Sequence, residues 1–300
     1  MSIVGNRYDF VYCFDCQDGN PNGDPDADNS PRFDPETFQG LVSDVCLKRK
    51  IRDYVYQKSR ENGSVQKGYD VFVLAGNTLE SRQKRPYEHL KDEITPKGKD
   101  TKPDDIRKAR EWMCANFFDI RAFGAVMGVT EFNCGQVRGP VQFTFARSID
   151  RIFTTEHTIS RQAFTGEKDV KPGTGTFGRK HTVAYGLYRA YGFVNPVFAD
   201  QTGFSEDDLQ QLWMALWNMF SIDRSAARGL MAARELCVFK HKSKLGEAPA
   251  HKLFDSMRVE LKQGVVSPRS FNDYKLSYPD TSELPEGVEL LTPFAVSAAA

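Results

Sequence analysis

The loop from Asp18 to Asn29, DGNPNGDPDADN, carries carboxylates and amides at spacings that metal sites use. Asp18, Asn20, Asn22 and Gly23 occupy the first, third, fifth and sixth positions of an EF-hand, where alternate oxygens converge on calcium and glycine permits the sharp turn. The twelfth position holds Asn29 instead of the bidentate Glu that closes such a cage. Asp24, Asp26 and Asp28 also offer carboxylates for a divalent ion in RNA cleavage. Against both readings stands simple turn chemistry: Asn, Gly, Asp and Pro at this density shape loops, and the loop's backbone amides can meet phosphate without a metal.

Further along, Phe38, Val42, Val45, Arg49, Arg52 and Tyr56 recur at helical spacing, so one apolar stripe turns basic halfway. Lys48 lies beside that face. Phosphate oxygens would satisfy three converging cations; equally, the dipole favours cations at a solvated helix end. The spacing leaves both open. A second basic group, with Arg161, Phe164, Lys168, Lys171, Phe177, Arg179, Lys180 and His181, mixes cations with rings able to wedge between bases. A charged surface loop is the alternative there.

Other motifs lack their context. Gly173, Gly175 and Gly178 fit G-x-G-x-x-G, but no buried strand precedes them and no helix start follows. Cys13 and Cys16 form a CxxC whose odd spacing on a strand sends the sulfurs to opposite faces, and no second pair completes a zinc site. The five histidines make neither HExxH nor a tight pair, and no G-x-S-x-G is present. Arg138, Gly139 and Phe145 reproduce only the ends of an RNP1 signature, which does not support a base-stacking sheet.

The elements that must hold these residues read as follows. Tyr8 to Cys16 is a strand running into the polar loop. Asp34-Pro35-Glu36 signals a helix start, predicting about six turns to near Ser59. Tyr69 to Ala75 reads as a buried strand, followed by a polar insertion from Gly76 to Asp104 and a helix opening at Pro103. Val137 to Ser148 alternates as a half-buried strand, and 154 to 181 leaves the body as a hairpin arm and returns through Thr182 to Val194. Ser205 caps an aromatic-rich helix, and Arg234 to His241 and Phe254 to Lys262 read as late strands. Without insertions the order is strand, helix, strand, strand, helix, strand, which predicts an α+β, ferredoxin-like (RRM-type) antiparallel sheet.

Forty Lys and Arg balance forty Asp and Glu, so any nucleic-acid site must be basic locally. Six dispersed cysteines in 300 residues imply reduced thiols. No apolar run reaches the ~20 residues of a membrane span, and the N-terminus has no leader-like pattern, so the expected location is the cytoplasm, with no membrane partner.

The string NPNGDPDADNSPRFDPETFQGLVSDVCLKRKIRDY closely resembles the N-terminal region of the backbone subunit of type I CRISPR Cascade complexes, a RAMP-type family, especially subtype I-C. FFDIRAFGAVMG, RGPVQFTFARSID, DRSAARGLM and CVFKH are similar to the same family in the expected order. The resemblance implies an RRM-like palm in residues 1–75, 119–153 and 182–300, helical fingers in 76–118, and a protruding β-hairpin thumb in 154–181. It implies a non-enzymatic protein whose copies polymerise along the guide RNA (crRNA), beside other Cascade subunits and the target DNA strand. RNA contact is then expected of Asn20, Asn22, Lys48, Arg49, Arg52, Arg138, Arg161, Phe164, Lys180 and His181, with no catalytic or metal residue and no cofactor. Related type III subunits cut target RNA with an acidic residue in the loop after the first strand, so Asp24, Asp26 and Asp28 keep a metal-dependent ribonuclease as the second reading, and a calcium-binding structural protein as a third.

Overall fold

A computed structural model describes residues 2–60, 65–128, 130–161 and 176–291. Its centre is strand β1 (Tyr8–Gly19), whose aromatic and β-branched run is buried along nearly its whole length. Alternation along a strand sends successive side chains to opposite faces. Phe10, Tyr12, Phe14 and Cys16 accordingly enter one core, while Val11 and Cys13 enter another. The two CxxC sulfurs do point apart.

After β1 come a small ribbon, β2 (Gly23–Asp24) with β3 (Ser30–Pro31), then β4 (Gln39–Val42) and helix α1 (Asp44–Lys58). Helices α2 (Leu79–His89), α3 (Pro103–Asn116) and α4 (Phe118–Phe123) follow, and then the ribbon of β5 (Gly124–Met127) and β6 (Gly135–Arg138). Next are β7 (Val141–Phe143), β8 (Ala146–Arg151), β9 (Thr154–Arg161) and the long β10 (Thr176–Val194). The chain continues with α5 (Pro196–Thr202), α6 (Glu206–Ile222), β11 (Leu230–His241), α7 (Ala250–Ser256), β12 (Arg258–Leu261), β13 (Tyr274–Ser277) and β14 (Val288–Leu291).

The result is a mixed α+β protein built on one large antiparallel sheet, in the order β14-β11-β1-β10-β8-β4, with β7 and β9 also pairing with β10. Helices α1 and α6 pack on the face that receives Phe10, Tyr12 and Phe14. Trp213 meets Phe10 edge to face at 5.1 Å, and the buried Tyr12 hydroxyl donates to Leu216 O at 2.7 Å. Fully burying one such ring contributes about 2 kcal/mol. Gly192 on β10 is required there, because a Cβ would fall inside the Phe10 ring. The opposite face is covered by α7 and the β12–β13 ribbon. A third core under α2 and α3 gathers Phe72, Tyr87, Met113, Phe117 and Met127.

Five expectations are corrected. The first helix begins at Asp44, ten residues after Asp34, because Asp34 Oδ1 accepts from Glu36 N (3.0 Å) and Thr37 N (3.5 Å) in a turn that ends with Phe38 at φ 60°. Gln39–Val42 then pairs with β8. The helix buries Leu47, Ile51, Tyr54 and Val55, leaving Val45 65% exposed, so the Val45–Arg49–Arg52–Tyr56 stripe is not the core face. Residues 69–75 are buried in part but form no strand beyond a single bridge, Asp70 to Phe117; Phe72 N and Val73 N donate to the Asp119 carboxylate at 2.7 and 3.0 Å instead. Val137 to Ser148 breaks into parts of β6, β7 and β8, since Phe145 turns out to solvent at 54% exposure. Phe254 to Lys262 is the end of α7 followed by β12.

Candidate nucleic-acid interface

The loop after β1 is held on both flanks. Asn20 N donates to Ala227 O (2.6 Å), and Asn20 Nδ2 donates to Asn29 O (2.7 Å). Asn22 Oδ1 accepts from Ser43 N (2.9 Å) and Ser43 Oγ (3.0 Å). Ser43 in turn caps α1, its Oγ accepting from Cys46 N at 3.2 Å, as an N-cap serine does. The loop is thereby pinned between the start of α1 and the segment joining α6 to β11. Between them lies a cleft of about 160 Å³, lined by Asn20, Asn22, Gly23, Asn29, Cys46, Arg49, Lys50, Ala227 and Arg228.

Charge concentrates in this cleft. Asp223 accepts from Arg49 Nη2 (2.8 Å), from Arg228 Nε (2.9 Å) and from the buried Lys50 ammonium. Arg49 also pairs with Asp53. Three cations against two carboxylates leave a surplus of one positive charge. Burial pushes the Asp223 carboxyl up, but hydrogen bonds and charges of Lys50 and Arg49 outweigh it and hold the group below its ordinary value. A fixed carboxylate of this kind holds its cations in place, leaving their outer N–H groups for phosphate oxygens. Lys180 Nζ donates to Ala226 O at 2.5 Å, bringing the β10 end of the arm to the same segment, and His181 Nε2 lies 3.7 Å from Asp28 Oδ2.

Asn20, Asn22 and Arg49 thus line one cleft, with Lys180 and His181 at its margin. The other expected contacts lie elsewhere. Arg52 Nε is locked to the buried Asp119 at 2.8 Å, and Lys48 to Asp44 at 3.0 Å, both cations standing over the Phe123 ring. Arg138 stacks on Phe198 at 4.3 Å on a separate surface. Arg161 sits on β9, opposite Thr176; Phe164 lies outside the described residues.

Of the three loop aspartates, Asp24 shapes a turn with its carboxylate. Asp24 pairs with Arg32 (3.2 Å) and its Oδ1 accepts from Asp26 N (3.3 Å); Asp28 and Asn29 adopt left-handed backbone angles. Among the described residues no group of three or more His, Cys, Asp or Glu side chains is placed to hold a metal ion, and no helix is long and apolar enough to cross a membrane.

Sequence reasoning missed Lys50, Asp223 and Arg228. Lys50 hides because it points inward at 1% exposure, on the apolar side of α1. The signal for the others was present in DRSAARG, a run of small residues and arginines placed between an apolar helix and a strand.

The model of the CRISPR-associated protein Cas7 family matches residues 6–279. This chain belongs to that family. The Cas7 match takes in every residue of the cleft. A CRISPR-associated protein Cas7 of Haloferax volcanii is 25% identical over 276 residues, covering 86% of this chain and 72% of that protein. A chain of a CRISPR RNA-guided surveillance complex, pre-nicking, is similar at a TM-score of 0.44 and 15% identity, over 78% of both chains. A chain of the Type III-B Cmr-beta complex bound to cognate target RNA reaches 0.41 and 13% identity, over 78% of this chain and 61% of that one.

Proposed function

We propose that this Cas7 chain is a guide-RNA-binding backbone subunit of a type I Cascade surveillance complex, closest to subtype I-C. Copies polymerise along the crRNA and support pairing with the target DNA strand in antiviral defence. The observation that carries the reading is the Arg49–Lys50–Arg228 cluster around Asp223, beside a turn-rich loop held rigid by Asn20 and Asn22. Cations and backbone amides at such a cleft position a phosphodiester strand without reading its bases, as a scaffold for many different guides requires. The β9–β10 hairpin acts as the thumb that reaches a neighbouring copy, and the protein works without a catalytic step or a cofactor.

The ribonuclease reading would draw on Asp26 and Asp28, because Asp24 is engaged with Arg32 and with the Asp26 amide. The test is purification from cells carrying a CRISPR array, followed by sizing of any bound RNA and incubation of the protein with labelled RNA and Mg2+. A scaffold retains RNA of uniform length and leaves the label intact. Mg2+-dependent cutting that is lost when Asp24, Asp26 and Asp28 are changed to Asn would establish the nuclease instead.

A further inference from the structure

A cavity of about 580 Å³ lies apart from the proposed RNA cleft. It opens between α3, the end of α5, the start of α6 and residues 67–69, and a neighbouring hollow of about 340 Å³ shares Arg110, Cys114, Gln201 and Thr202 with it. The pair together is large enough for a compact organic ligand.

Its wall is divided by chemistry. Tyr69, Cys114, Ala115 and Ile3 supply an apolar side. Arg121 and Asp208 also face the cavity but satisfy one another in a buried two-point pair at 3.0 and 2.7 Å. Glu111 is drawn to Arg107 at 2.8 Å. Lys67, Arg110 and Arg138, by contrast, have no carboxylate partner among the described residues, and they flank the cavity and its neighbour. Thr202, only 4% exposed, lines both hollows, and its Oγ1 is buried with no hydrogen-bond partner. A buried hydroxyl without a partner is costly unless something supplies one.

We infer that this cavity binds a phosphate ester bearing a flat organic group, of about mononucleotide size. Arg110 and Arg138 take the phosphate, Thr202 Oγ1 donates to a ligand oxygen, and the apolar side formed by Ile3, Ala115 and the Tyr69 edge receives the flat group. The phosphate belongs either to a free nucleotide or to a nucleotide within a strand; the chemistry recognised is the same.

The test uses adenosine 5′-monophosphate (AMP), adenosine, and a short oligonucleotide with hydroxyl ends, titrated calorimetrically into the full chain freed of RNA. AMP is expected to bind one to one, and adenosine far more weakly. The pair Arg110→Ala and Arg138→Ala should weaken AMP at least about tenfold. Thr202→Val, which keeps shape and fills the same space, should weaken it several-fold while leaving the unfolding midpoint in place or higher. Competition by the oligonucleotide would assign the site to a nucleic-acid strand, and its absence to a free nucleotide. Arg49→Ala with Arg228→Ala must leave AMP binding unchanged, which separates this site from the proposed RNA cleft. No AMP binding at about 1 mM, or binding indifferent to Arg110 and Arg138, or binding lost with Arg49 and Arg228, overturns the inference.

Discussion

Asn22 Oδ1 accepts from both the backbone N–H and the hydroxyl of Ser43, at 2.9 and 3.0 Å, so a single amide oxygen fastens the loop after β1 to the cap of α1. Two short segments separated by twenty-one residues are set at a fixed distance by it, and the cleft of Arg49 and Arg228 takes its shape from that spacing.

Removing this link should loosen both elements. Asn22→Ala gives up two hydrogen bonds and is expected to cost about 2 kcal/mol, measured as a lower denaturant midpoint at constant slope. An unchanged midpoint would mean that the loop is held by Asn20 and the β2–β3 ribbon alone.

Arg52→Ala separates structure from binding. The substitution strips the charge partner from Asp119, which is 1% exposed, and is expected to destabilise by about 3 kcal/mol. Affinity of the folded variant for RNA should remain near wild type when measured well below its unfolding temperature. A stable variant with weak RNA binding would return Arg52 to the interface.

Acid should release the Asp223 cluster. Its folded carboxyl lies below the ordinary value, and a group depressed on folding contributes stability that is present above the unfolded pKa, about 3.9, and lost as pH falls through the folded value. The stability gap between wild type and Asp223→Asn should therefore be widest near neutrality and close as pH falls below about 4. Asp15 works in the opposite sense, since burial raises its carboxyl despite Arg234 and Tyr185, so its contribution fades as pH rises. Only the difference between the two proteins is diagnostic. A gap independent of pH would show that Asp223 is not tied to its cations.

Much of this framework was legible in the sequence. Tyr8 to Cys16 read as a strand because its run is aromatic and β-branched, and Ser205 announced α6 because its side chain and that of Asp208 form a capping box. The start of α1 was not legible, because Asp34-Pro35-Glu36 has the composition of a helix start and only the turn closed by Phe38 shows otherwise. The Tyr69 to Ala75 segment reads as a strand by burial, yet its amides are satisfied by the Asp119 carboxylate, a partner about fifty residues away that no local pattern announces. Arg49 was found by its place beside other cations on α1, whereas Asp223 and Arg228 join the cleft only through the packing of α1 against α6.

The arm should be dispensable for folding. Every residue from Phe153 to Ser160 is exposed, as are Ile159 and Phe177 at 50% and 71%, so β9 and the outer part of β10 have no core of their own. Replacing residues 162–175 with a short turn should hardly move the thermal midpoint. Assembly on long RNA should fall sharply, because a lost contact recurs with each copy along an array. Particles of wild-type length at matched concentration and salt would reduce the arm to a surface loop.

The central claim, that the Arg49–Lys50–Arg228 cleft holds the guide backbone, is tested most directly by the salt dependence of RNA binding in Arg49→Ala with Arg228→Ala. Lys50 still pairs with Asp223 in this variant, so the fold is expected to survive, and a melting curve checks that. Each phosphate contact to a single strand adds about 0.7 to the slope of log affinity against log salt, so losing two should flatten it by about 1.4, equally for guides of unrelated sequence. A slope equal to that of the wild type, in a folded variant, would contradict the account and move the RNA elsewhere on the protein.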